Sequence, residues 1–158
     1  MSFYCWFEYK GIIKEEYRND IEKAVNAKNW AAIESKKLRK VLSDFMELDN
    51  EDSVLNSMFI KSKRLKRSVI YDKETGLLHI NHEYNAVRDA WQTDNFTQWF
   101  IPFITKEILA YYTGDEGLKN NDDAVISIDG DLCMDDTAGF KQDMLEADRK
   151  YQNISAGN

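Results

Sequence analysis

His79, His82 and Glu83 form the only histidine-containing cluster in the chain, and histidines beside a carboxylate are the groups best able to move protons near neutral pH or to hold a transition metal. Their surroundings argue against both roles. Leu77, Leu78 and Ile80 place them on an extended strand, where residues three apart point to opposite faces, so His79 and His82 do not share a metal easily. No cysteine lies close in sequence to complete such a site. Glu83 or Asp89 could still partner one ring in acid–base chemistry, but residues of this kind more commonly flank a hairpin. Asp129, Asp131, Asp135 and Asp136 offer oxygens at partly alternating positions, as a calcium loop does. The central glycine and the bidentate glutamate that complete such a loop are missing, so no bound cofactor or metal is expected.

Asp129 and Asp131 follow the apolar run Val125-Ile126-Ser127-Ile128, and two carboxylates at a strand end can act in phosphoryl transfer, one attacking phosphorus and the other serving as acid or base. Position 133, where that pattern carries threonine or valine, is Cys133, and too little chain follows for the doubly wound domain such chemistry uses. An Asp129-Gly130 turn is the simpler reading. No glycine-rich phosphate loop and no nucleophile elbow occur. An enzyme built from this chain would be a metal-dependent hydrolase or a nucleic-acid-processing enzyme whose His79, His82, Glu83 and nearby aspartates assemble only in three dimensions.

The elements that must carry these residues follow from hydropathy patterning. Phe3 to Tyr9 is apolar on both alternating faces and predicts a central strand, ended by Gly11. Ile13, Tyr17, Ile21, Ala24 and Val25 draw one stripe along a helix over about 14–27. Asn29 is placed to cap a second helix running to about Met46, with Lys36, Lys37, Arg39 and Lys40 on its solvated face. Val54–Lys61 and Arg67–Tyr71 alternate as strands. Asp72-Lys73-Glu74-Thr75-Gly76, between Val69-Ile70-Tyr71 and Leu77-Leu78-His79-Ile80, predicts a hairpin whose glycine takes a positive φ, completing a three-stranded meander. Helices are expected over about 84–92 and from Phe96 to Tyr112, the latter stopped by Gly114, with Phe103 in its buried stripe and Pro102 near its start or at a bend. A strand at 124–128, a last helix at about 138–151 and a frayed tail at 153–158 complete the reading. The expected fold is α+β: one domain over residues 1–158, a mainly antiparallel sheet with a hairpin or meander near 54–81, covered by helices.

Charge separates one region from the rest. Residues 1–114 hold 17 basic and 17 acidic side chains, whereas residues 115–148 hold 11 acidic and 2 basic, so the net charge of −7 comes from the C-terminal quarter. In the opposite sense, Lys61-Ser62-Lys63-Arg64-Leu65-Lys66-Arg67 concentrates cations at a bend. This bend could neutralise the acidic segment within the molecule. It could also touch nucleic acid, although it contains no aromatic for stacking and the net charge opposes that role. Composition is that of a globule, with 43% apolar and 31% charged residues. Cys5 and Cys133 lie apart in apolar surroundings and suit reduced thiols. Met1–Phe7 has no leading basic group and meets Glu8 at once, so neither a signal peptide nor a membrane span is expected, and the cytoplasm is the expected compartment.

These features favour a non-enzymatic protein-binding inhibitor, such as a toxin-immunity or anti-defence protein. Its acidic surface would occlude the basic site of a toxin or enzyme. The residues expected to meet this basic protein partner are Asp115, Glu116, Asp122, Asp123, Asp129, Asp131, Asp135 and Asp136. Trp91 and Trp99 join them, because they straddle a polar break where not every aromatic can face inward.

Overall fold

A computed structural model describes residues 4–45, 54–115, 125–128 and 131–134. Strand β1 (Tyr4–Ile13) lies inside a four-stranded antiparallel sheet of order β2-β3-β1-β4, formed with β2 (Arg67–Asp72), β3 (Leu77–Asn85) and β4 (Thr105–Asp115). Its inward face carries Phe7, Tyr9 and Ile13, all buried. The strand runs past Gly11 rather than ending there. The Tyr9 phenol folds back over Gly11, and a methyl group at that position would overlap the ring. The Tyr9 hydroxyl donates to Thr105 Oγ1 at 2.6 Å, while Thr105 spends its own proton on the Ile101 carbonyl at 2.5 Å. Burial accordingly pushes the Tyr9 hydroxyl far above its ordinary pKa.

Helix α1 (Arg18–Ala27) follows a 3-10 turn at Glu15–Tyr17 and buries Ile21 and Ala24, as the stripe requires. It ends where Lys28 adopts φ +54°, with Asn29 N–H on the Ala24 carbonyl and Lys28 N–H on that of Val25. This is a Schellman ending on a lysine instead of the usual glycine. Asn29 then caps as expected, its side-chain oxygen accepting from Ala31 N–H at 2.9 Å, but the helix it starts is only the 3-10 turn Trp30–Ala32. Helix α2 (Lys36–Phe45) begins separately, and Arg39 reaches back to the Ala31 and Ile33 carbonyls. Replacing Asn29 with alanine is expected to cost about 1 kcal/mol, the usual worth of such a cap, measured by urea unfolding.

The 72–76 hairpin forms as expected. Gly76 has φ +77° and donates to the Asp72 carbonyl at 2.8 Å, and the Asp72 carboxylate accepts from Glu74 N–H.

Three further expected elements are corrected. Residues 54–61 are not a strand: Val54–Phe59 is a 3-10 segment, so the meander reduces to the β2–β3 hairpin. Leu55 and Met58, three apart, are both buried, and Trp30 Nε1 donates to the Leu55 carbonyl. The expected helix at 84–92 starts late: alternation through buried Leu78, Ile80, His82 and Tyr84 carries β3 to Asn85, and residues 86–89 turn. Only α3 (Ala90–Asn95) remains helical there.

The third correction concerns Phe96–Tyr112. A π turn at Phe96–Phe100 places Ile101 N–H on the Phe96 carbonyl and passes into α4 (Ile101–Ile104), which contains Pro102. From Thr105 the chain is β4, and Gly114 lies within that strand instead of stopping a helix. Buried Thr105, Ile108 and Tyr111 are three apart because the register against β1 shifts twice. Ile13, Gly11 and Tyr9 face Thr105, Ile108 and Tyr111, which leaves extra residues bulged on β4. Two bulges thus give a strand the inward spacing of a helix.

The helical segments cover the inward sheet face in an α+β fold with one aromatic-rich core. Phe7 meets Phe96 and Tyr111, Phe96 and Phe100 meet Trp30, and Phe103, buried as expected, meets Tyr17. Strands β5 (Val125–Ile128) and β6 (Asp131–Met134) pair antiparallel with each other and lie against β4. The expected strand at 124–128 is therefore present and gains a partner. The expected end of α2 at Met46, the last helix and the tail lie outside the described residues. Among the described residues no helix is long and apolar enough to cross a membrane.

Candidate functional site

One end of the sheet gathers most of the polar residues that could do chemistry. Register aligns Arg67 of β2, His82 of β3, Phe7 of β1 and Thr113 of β4 in a row across the sheet. His82 faces inward at 1% exposure, its ring stacked on Tyr84 at 5.6 Å and edge-on to Phe7 at 5.9 Å. Neither ring nitrogen has a hydrogen-bond partner among the described residues, and the same holds for the buried Thr93 hydroxyl on α3. Burial chiefly, and the Arg67 guanidinium next, push the His82 pKa down to about 3, against a smaller opposing pull from Asp89. The imidazole is therefore neutral at physiological pH and is not poised to exchange protons there.

Asp89, at the start of α3, is the other buried ionisable group of this region, 1% exposed. Its carboxylate accepts from Arg88 Nε at 2.7 Å and Nη2 at 3.1 Å and from Asn85 N–H at 3.3 Å, so its charge is paired and hydrogen-bonded. Arg88 itself remains 73% exposed. Arg67 donates to the Glu83 carbonyl at 3.2 Å and lies within electrostatic reach of Arg88 and Asp89. On the helical side, burial raises the Asp94 carboxyl above its ordinary range.

The fold separates His79, His82 and Glu83. His79 lies on the opposite sheet face from His82 and meets Glu8 Oε2 at 3.2 Å, and Glu83 shares that outward side two positions beyond Asn81. Opposite faces for the two histidines match the strand geometry anticipated from their spacing. Among the described residues, no group of three or more His, Cys, Asp or Glu side chains could hold a metal ion. The Arg67–His82–Asp89 association is long-range. Only the possible pairing of Asp89 with a histidine had a signal in sequence, and the arginine had none.

Of the residues expected to meet a partner, Asp115 ends β4 opposite Cys5, and Asp131 opens β6 opposite Ile128. Glu116, Asp122, Asp123, Asp129, Asp135 and Asp136 lie outside the described residues, as does the Trp99 side chain. Trp91 is 61% exposed, in the segment that begins at Arg88. The basic bend enters the sheet through β2 and the acidic stretch leaves it through β4, the opposite edge. Three strand spacings put these edges about 14 Å apart. That exceeds the ~8 Å screening length at physiological salt.

The chain matches no family model, no curated protein and no solved structure.

Proposed function

We propose that the protein is a non-enzymatic binding protein that docks a cationic protein partner through its acidic C-terminal quarter, covering the partner's basic site. Immunity to a toxin, or antagonism of a defence enzyme in the cytoplasm, is the kind of role this surface suits. The observation that carries the reading is the confinement of the whole charge surplus to residues 115–148, while residues 1–114 balance. Support comes from the topology: the acidic stretch starts at Asp115 on an edge strand, across the sheet from the basic bend. A concentrated field of one sign speeds encounter with a basic protein and loses strength steeply with salt.

The test reverses Asp122, Asp123, Asp135 and Asp136 to lysine. Capture from native cell extract on immobilised wild type and variant should show a basic protein retained by the first and lost by the second, at unchanged circular dichroism. Its affinity for the wild type should fall at least about tenfold as salt rises toward physiological levels and beyond. A partner held equally by both proteins at low salt would remove the acidic segment from the interface.

A further inference from the structure

We propose that the corner of the sheet formed by residues 60–67 and 87–91 is a docking surface for single-stranded nucleic acid. The bend alone contains no aromatic residue, but the fold supplies one. Helix α3 packs against the 54–59 segment that leads into the bend, and at the bend's other end Arg67 sits within electrostatic reach of Arg88. Residues 60–66 are thus held at both ends beside the segment that bears Trp91. Glu83 N–H donates to the Lys66 carbonyl at 2.9 Å, and Ser62 Oγ accepts from Arg64 and Leu65 N–H, so the bend is an organised turn.

The side chains of this corner fit a polyanion that carries flat rings. Lys61, Lys63, Arg64 and Lys66 are exposed, and Arg67 and Arg88 extend the row. Of the five large apolar side chains exposed among the described residues, three, Ile60 (61%), Val87 (80%) and Trp91 (61%), belong to these two segments, and Ile70 and Leu109 lie elsewhere on the sheet. Among the described residues Asp89 pairs with Arg88, which leaves Lys61, Lys63, Arg64, Lys66 and Arg67 to meet a polyanion. Asp89 is buried against Arg88, and Glu83 lies on the outward sheet face and half-exposed Asp94 one turn beyond Ala90. An exposed indole stacks on any unpaired base, whereas duplex bases hide their faces, and this selects single strands. The net charge of −7 arises outside this surface, in residues 115–148, and Asp115, where that stretch begins, ends the edge strand opposite β2. The surface shares no residue with the acidic segment and takes only Trp91 from the residues expected at a protein interface, so the aspartate reversals and the Lys63 and Arg64 reversals test the two readings separately.

The experiment is fluorescence anisotropy of a labelled thymidine oligonucleotide of about 12 nucleotides titrated with the full chain, with a blunt duplex of equal length alongside. The single strand should bind about tenfold tighter than the duplex. Its log affinity should fall against log salt with a slope of about −3 to −3.5, as expected for four or five neutralised phosphates. Trp91→Leu should weaken single-strand binding about tenfold, and paired Lys63→Glu and Arg64→Glu substitutions should abolish it, both at unchanged circular dichroism. Equal affinity for the duplex, no effect of Trp91→Leu, or displacement by a polyglutamate peptide at equal charge would overturn the proposal. The last outcome would make the corner a receptor for acidic protein.

Discussion

Trp30→Ala is expected to lower the unfolding free energy by about 3–5 kcal/mol, the range for removing a fully buried large aromatic. The indole has no solvent exposure and lies among Phe59, Phe96 and Phe100 at ring separations of 5.1, 5.2 and 5.6 Å. It touches both the 54–59 segment and the π turn, and its Nε1 donates to the Leu55 carbonyl at 3.2 Å. Alanine therefore removes ring contacts on several sides at once and leaves a void that the covering layer cannot fill without moving. The backbone N–H of residue 30 still reaches Asn56 Oδ1, so the 54–59 segment stays tethered and the loss combines packing with the Leu55 hydrogen bond. Urea unfolding at neutral pH measures it. Trp30→Phe should fall between wild type and alanine, since it keeps a ring but loses the Leu55 bond. A loss below about 1 kcal/mol for alanine would mean that Trp30 does not bridge these segments.

Acidification from pH 7 to pH 5 is expected to cost the wild type about 2 kcal/mol relative to His82→Leu. The sign follows from the direction of the shift. His82 has its pKa depressed to about 3 in the folded protein, from an ordinary 6.5. Below pH 6.5 the unfolded chain takes up a proton that the folded chain refuses. Stability is complete above that pH and declines by about 1.4 kcal/mol per unit until the folded group also titrates near 3. Most carboxylates are still ionised at pH 5, so the difference between the two proteins isolates the histidine. Leucine also removes two buried nitrogens that lack partners among the described residues, and the variant should match or exceed the wild type at pH 7. Parallel stability profiles for the two proteins between pH 7 and 5 would show that burial does not hold the ring neutral.

How much of this was legible in sequence varies by element. The 72–76 hairpin and the Asn29 cap depend on residues a few positions apart, so their chemistry could be read directly. Strand β1 was legible because aromatics on both alternating faces leave it no place but the interior of a sheet. β4 was not. Its two bulges set Thr105, Ile108 and Tyr111 three apart, and a helix stripe and a bulged strand are indistinguishable at that spacing until the partner strand is known. Val54–Phe59 misled for a related reason: its short apolar run takes its conformation from Trp30, far away in the chain.

The candidate surfaces divide in the same way. The separation of charge between residues 61–67 and 115–148, the α+β class and the opposite facing of His79 and His82 are consequences of composition and strand period, and the linear chain carries them. Tertiary pairing alone could place Arg67 beside His82 and pack α3 against the 54–59 segment that leads into the basic bend. Those contacts join segments of β2, β3 and α3 whose mutual position depends on the register of the whole sheet, a quantity set by the summed packing of many side chains and by no local pattern.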